Sequence, residues 1–195
     1  MKHFQGQIEV ICGPMFCGKS TELIRRVERA AIAGQNIQAF KPAIDNRYDA
    51  VQIAAHNGLK VEAVPVEHVS HIRDAVFSDT DVVAIDEAQF FKHGLVQIAE
   101  ELANEGYRVV IAALDANFRG ESFGEMGELL CRADYITKLT AICPICGEEA
   151  TKTQRIVDGR PAFYEDPEIL VGADESYAPR CREHHVVPHR VKVSP

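Results

Sequence analysis

Short apolar, β-branched runs alternate along this chain with longer stretches whose apolar residues recur at helical spacing. Gln7 to Cys12 (QIEVIC) is the first such run and predicts a buried strand. A glycine-bounded turn follows, from Gly13 to Gly18. From Lys19 to Ala33, residues Leu23, Ile24, Val27, Ala30 and Ala31 share one helical face, and Gly34 supplies the stop. Asn36 to Lys41 predicts a second strand and Asp81 to Asp86 (DVVAID) a third. Leu95 to Glu105 predicts a helix closed by Gly106, and Tyr107 to Leu114 (YRVVIAAL) a further strand. Tyr135 to Leu139 is the expected last strand, while polar, irregular residues 44 to 59 predict a loop. This rhythm implies right-handed crossovers and an α/β fold, a mostly parallel sheet with helices on both faces.

From Ala141 the character changes to paired cysteines, Pro144 and Gly147, with no long helical pattern. The expected boundaries are an α/β domain at 1–140, a small second domain at 141–187 and a flexible tail at 188–195. A length of 195 residues suits one core with a small appendage. The net charge of −8 argues against a partner gripped through phosphates along a basic stripe, so no nucleic-acid partner is expected. Arg25, Arg26 and Arg29 alternate with Glu22 and Glu28 and read as a solvated helix face. No apolar segment is long enough for a membrane span, and the start MKHFQGQIEV lacks the apolar core of a secretory signal. The expected compartment is the cytoplasm, where the six cysteines stay reduced and clustered ones suggest metal.

Three stretches carry chemistry. Gly13-Pro14-Met15-Phe16-Cys17-Gly18-Lys19-Ser20 fits G-x-x-x-x-G-K-[ST] after a predicted strand and before a predicted helix, the context that gives this motif its meaning. Glycines let backbone N–H groups turn inward around phosphate oxygens, and the helix N-terminus adds its positive dipole end. Lys19 supplies a point charge to the outer phosphates, and the Ser20 hydroxyl is placed for Mg²⁺. Cys17 reads as a position whose side chain is unused rather than as a reactive thiol. In DVVAIDEAQFF, an apolar strand ends in Asp86, the pattern of a Mg²⁺-holding carboxylate, and Glu87 follows as a candidate general base. Such a base serves water or a substrate hydroxyl equally well, so an ATPase and a kinase both stay open here. Cys143-Pro-Ile-Cys146 and Cys181-Arg-Glu-His184 form two ligand pairs for a closed, structural zinc site, with His185 as the alternative to His184. A redox C-x-x-C is the rival, but it needs neither Cys181 nor His184.

The segments GPMFCGKSTEL, KPAIDNRY, IDEAQFF, ALDANFRG, KLTAICPIC and VGADESY…CREH occur in an order that resembles the type II, cytosolic, zinc-containing thymidine kinases, from about Gly6 to His185. The resemblance implies a RecA-like P-loop domain with a zinc-bound lasso domain. It implies transfer of the ATP γ-phosphoryl group to the 5′-hydroxyl of thymidine, giving dTMP in deoxynucleoside salvage. Gly13 to Ser20 and Asp86, Glu87, Ala88 and Gln89 would bind ATP, with Glu87 as base and Mg²⁺ on Ser20 and Asp86. Asp45 and Arg47 would lie near the transferring phosphate. Met15 and Leu114 would line the base pocket, with Phe91 and Phe118 packed against it and Thr153, Ile169, Gly172 and Tyr177 as lasso contacts. Without the resemblance, Phe91 reads first as core, and Thr153 and Tyr177 as surface loop residues. The resemblance also implies a homotetramer inhibited by dTTP. The rivals are a zinc-ribbon P-loop ATPase acting on nucleic acid and a nucleotide sensor without turnover.

Overall fold

The computed structural model describes residues 6–43, 52–54, 60–168 and 175–190. Six parallel strands form the central sheet. In chain order they are β1 (Gln7–Cys12), β2 (Ile37–Pro42), β5 (Val64–Val66), β6 (Val82–Ile85), β7 (Arg108–Ala113) and β8 (Tyr135–Lys138). Their spatial order is β5-β2-β6-β7-β1-β8, and every pairing between neighbours is parallel. The strand of the phosphate loop and the strand that ends at the acidic pair are therefore separated by β7.

Strand periodicity explains the layering. Val10, Val83, Ile85, Val109 and Ile111 point into one apolar cluster, and Ile11, Val82, Ala84, Val110 and Ala112 into the other. Helix α1 (Lys19–Ile32) covers the second face with Leu23, Ile24, Val27 and Ala30. The other face is covered by α2 (Ser70–Ala75), α3 (Leu95–Asn104) and α4 (Met126–Arg132), through Ile72, Leu95, Ile98, Leu102, Met126 and Leu129. At the starts of β1 and β7, buried Glu9 accepts charged hydrogen bonds from Arg26 Nη1 (2.7 Å) and Arg108 Nε (2.6 Å). Those arginines outweigh the burial that works against its charge and hold its carboxyl below the usual range. Arg26, expected on a solvated face, thus has a partner in the protein.

Part of the stretch expected as a loop is paired. β3 (Gln52–Ala54) and β4 (Lys60–Glu62) form an antiparallel ladder, and Ile53 is buried against the α1 face of the core. One apolar side chain every second residue is enough for such a short strand, too little signal to outweigh its polar neighbours. The rest of 44–59 lies outside the described residues. Strand β5 and helices α2 and α4 carry no expectation above, being short elements of three, six and seven residues.

After β8 the chain leaves the sheet. β9 (Ala141–Ile142) and β10 (Glu149–Ala150) make one small hairpin. β11 (Lys152–Val157) pairs with β12 (Arg160–Pro161) and with β13 (Glu175–Arg180). Asp158 and Gly159, both at positive φ (50° and 73°), make the tight two-residue turn into β12. Within the expected tail, residues 188–190 are anchored. Pro188 accepts a hydrogen bond from the Tyr164 amide, and Arg190 pairs with Asp166 at 2.6 Å. Residues 191–195 lie outside the described part.

Candidate active site and metal centre

The phosphate loop occupies the carboxyl end of β1. Gly13 sits at φ 141°, and a Cβ there would lie 2.3 Å from the Leu139 carbonyl oxygen, so only glycine fits. Gly18, at φ 88°, opens α1 in a left-handed conformation. Lys19 is buried, and its Nζ donates to the Pro14 carbonyl (2.8 Å) across the mouth of the loop. Cys17 packs against the small cluster of Ala141, Cys143 and Ala150. Burial pushes its thiol up despite Lys19 alongside, so it is not an activated nucleophile. Its side chain packs within the protein and lies 3.8 Å from Lys19 Nζ.

The acidic pair lies at the end of β6. Asp86 is buried, and its Oδ2 accepts from Ser20 Oγ at 2.9 Å, joining the phosphate loop to the acidic strand across 66 positions of sequence. Its Oδ1 accepts from the Glu87 amide at 3.0 Å. Burial, reinforced by the neighbouring Glu87 charge, pushes the Asp86 carboxyl up, against the pull of the Ser20 hydroxyl and Lys19. The carboxylate and hydroxyl oxygens, 2.9 Å apart, are hard donors of the kind a divalent cation takes. Glu87 adopts φ 50°, ψ 35°, a left-handed conformation costly for a side chain with a Cβ. That backbone turns Glu87 out of the strand's alternation and starts a 3₁₀ turn, Ala88–Phe90. Its carboxylate accepts a hydrogen bond from Gln89 Nε2.

Around this centre the expected pocket residues divide. Phe91 and Leu114 belong to the core cluster, with Met15 packed against it, so the reading of Phe91 as core is met in the packing. The Met15 amide donates to Thr153 Oγ1 at 3.0 Å, and Thr153 is buried, not a surface loop residue. This bond ties the phosphate loop to β11. Phe118 is buried with its ring against the guanidinium groups of Arg119 (5.0 Å) and Arg155 (5.3 Å). Tyr177, half-buried, lies opposite Arg155 in the β11–β13 ladder. Asp45, Arg47, Ile169 and Gly172 lie outside the described residues.

Several contacts to residues 164–168 had no signal in the sequence. Arg119 donates to the Tyr164 and Asp166 carbonyls (2.8 and 2.7 Å), and Asn117 Nδ2 to Glu168 (2.7 Å). Arg155, fully buried, donates to the Pro167 carbonyl. Together they tie the segment after β7, through Asn117 and Arg119, and β11, through Arg155, to residues 164–168. An arginine in the strand KTQRIV reads as a solvated cation until the neighbouring segments are known.

Cys143, Cys146, Cys181 and His184 converge, their ligand atoms within 4.8 Å of one another. A tetrahedron with Zn–S bonds of about 2.3 Å and a Zn–N bond of about 2.0–2.1 Å has edges of roughly 3.5–3.8 Å. The edges found are 3.7 Å (Cys146–Cys181), 3.9 Å (Cys143 to His184 Nδ1) and 3.2 Å (Cys181 to His184 Nδ1). Burial opposes ionisation of Cys143, but backbone N–H groups of Cys181, Ile145 and Cys146 pull its thiol down to about 6. Three thiol ligands, one imidazole and these spacings fit zinc. His185 points elsewhere, its Nε2 lying 2.8 Å from the Phe118 carbonyl, so the choice between the adjacent histidines falls on His184.

A sequence model of the family described as thymidine kinase matches residues 6–185. The chain belongs to the thymidine kinase family. The enzyme is accordingly a phosphotransferase acting on thymidine, and the family implies ATP as the second substrate. The match includes both halves of the site, the phosphate loop with its acidic strand and the Cys₃His cluster. Among the described residues, no helix is long and apolar enough to cross a membrane.

Proposed function

We propose that the enzyme transfers the γ-phosphoryl group of ATP to the 5′-hydroxyl of thymidine, giving dTMP, with Glu87 as the general base. The observation that carries this reading is the junction of Ser20, Asp86 and Glu87, which sets a hydroxyl, a buried carboxylate and a half-exposed carboxylate side by side at the end of one sheet. Backbone amides from Gly13 to Ser20, with residues 86–89 beside them, would hold the triphosphate. Lys19 would leave the Pro14 carbonyl for the outer phosphates. Mg²⁺, held by Ser20 and Asp86, would neutralise charge that develops on the phosphoryl oxygens. Glu87 would accept the proton of the 5′-hydroxyl as the oxygen attacks phosphorus.

Zinc on Cys143, Cys146, Cys181 and His184 would act structurally, since four protein ligands leave no position for water. The stretch between its ligand pairs would close over the nucleoside and exclude water, which would otherwise take the phosphoryl group. Thr153, Ile169, Gly172 and Tyr177 would contact the nucleoside from that side. Met15, Leu114, Phe118 and Phe91 would form the opposite wall, and Asp45 and Arg47 would approach the transferring phosphate. A homotetramer under dTTP feedback, working in cytoplasmic salvage, completes the reading and rests on family resemblance.

The test is to incubate the enzyme with ATP, Mg²⁺ and thymidine while following dTMP and free phosphate separately. ADP matched by dTMP is the expected result; phosphate released without dTMP would leave an ATPase. Glu87→Gln should lower kcat by roughly 10²–10⁴-fold with thymidine binding kept. Near-wild-type turnover in that variant removes Glu87 from the role.

A further inference from the structure

We propose that Gln89 is a positioning residue that holds the Glu87 carboxylate in its reactive orientation and locks it to the wall of the nucleoside pocket. The proposal rests on Glu87 being the base. Gln89 is buried at 4 % exposure, unusual for an amide side chain, and both ends of the amide are engaged. Oε1 accepts from the Leu114 backbone N–H at 3.0 Å, and Nε2 donates to Glu87 Oε2. The two partners force one orientation of the amide. A backbone N–H can only donate and a carboxylate only accept, so a flipped amide would face donor with donor and acceptor with acceptor.

The geometry around the amide is stiff. Gln89 lies within the 3₁₀ turn that begins at Glu87, closed by Phe90 N–H to Glu87 C=O and Phe91 N–H to Ala88 C=O, both 3.1 Å. Leu114 follows the last residue of β7, the neighbour of β6 in the sheet. One buried side chain thus bridges the carboxyl ends of adjacent strands, from the base to a residue of the proposed pocket wall. Rotation of the Glu87 carboxylate breaks its bond to Gln89, and movement of Leu114 drags the same amide. Each end of the Gln89 amide therefore has a protein partner, the Leu114 N–H on one side and the Glu87 carboxylate on the other.

The test uses two Gln89 variants and a double-mutant cycle in the full-length enzyme. Gln89→Glu keeps an acceptor for the Leu114 N–H but turns the group facing Glu87 from donor to acceptor. Gln89→Met removes both bonds. The expected result is a loss in kcat of about 10–100-fold in both variants, with KM for thymidine changed by less than about threefold. A merely structural role predicts that Gln89→Met, which adds no charge beside Asp86 and Glu87, lowers stability but turns over like wild type once folded; that outcome overturns the proposal. Adding Gln89→Glu to Glu87→Gln should cost less than about a further threefold, because the group being positioned is already gone. A full second loss in the double variant would show that Gln89 acts elsewhere and also overturns it. Should Glu87→Gln alone keep near-wild-type turnover, the base reading itself falls, which is distinct from either failure of Gln89.

Discussion

The left-handed backbone at Glu87 invites a test that separates what the residue costs from what it does. At φ 50°, ψ 35°, a residue with a Cβ carries a penalty of about 1–2 kcal/mol that glycine escapes. Glycine in turn stabilises the unfolded chain by about 0.4–1 kcal/mol relative to alanine. The difference predicts that Glu87→Gly is more stable than Glu87→Ala by about 0.5–1 kcal/mol, although both delete the same carboxylate. For a chain of 195 residues this is about 1–4 °C in Tm, and urea midpoints at unchanged m resolve it as well. Both variants should lose dTMP formation by roughly 10²–10⁴-fold, in the range expected of Glu87→Gln. Activity and stability should therefore rank the variants differently, as they do where strain is held at a working site. An alanine variant as stable as the glycine variant, or a glycine variant that keeps turnover, would refute the reasoning.

Thr153→Val keeps the side-chain shape but removes the acceptor of the Met15 amide, so stability should fall by about 1–3 kcal/mol in urea titration, with KM for thymidine raised. Zinc should copurify in one-to-one ratio by elemental analysis. Cys143→Ala should abolish it and lower the Tm, because the binding energy of a structural zinc of this type is about 10–16 kcal/mol and is folding energy. Glu9→Gln should cost about 2–3 kcal/mol at neutral pH by leaving Arg26 and Arg108 short of an anion. Because the folded pKa of Glu9 lies below its unfolded value, its contribution is present above the ordinary carboxylate pKa of about 4.3 and is lost as pH falls through the folded value. Acid titration of unfolding should accordingly be shallower in Glu9→Gln than in wild type.

Where local chemistry and periodicity are strong, the linear chain was readable. β1, the phosphate loop and α1 follow one another because strand period, glycine placement and helical period are local properties, and the helix found, Lys19–Ile32, ends one residue before the expected limit. The two ligand pairs of the metal cluster were legible for the same reason, since each lies within one knuckle. The choice of His184 over His185 was favoured by spacing, but it is made by the Phe118 carbonyl, which takes up His185 from 67 positions away.

Other features arise only when distant segments meet. Nothing in IDEAQFF says that Glu87 takes a left-handed backbone or that Gln89 reaches the amide of Leu114, because that contact depends on β6 and β7 lying side by side. Arg155 looks like any solvated cation in its strand, yet packing beneath Phe118 and Pro167 removes it from water. Thr153 gains its meaning from a phosphate-loop amide 138 positions away. Hydrophobic period and turn chemistry act over a few residues and are written in order along the chain. Hydrogen-bond satisfaction of buried groups is a condition on three-dimensional neighbours, so it exists only once the sheet order has brought them together.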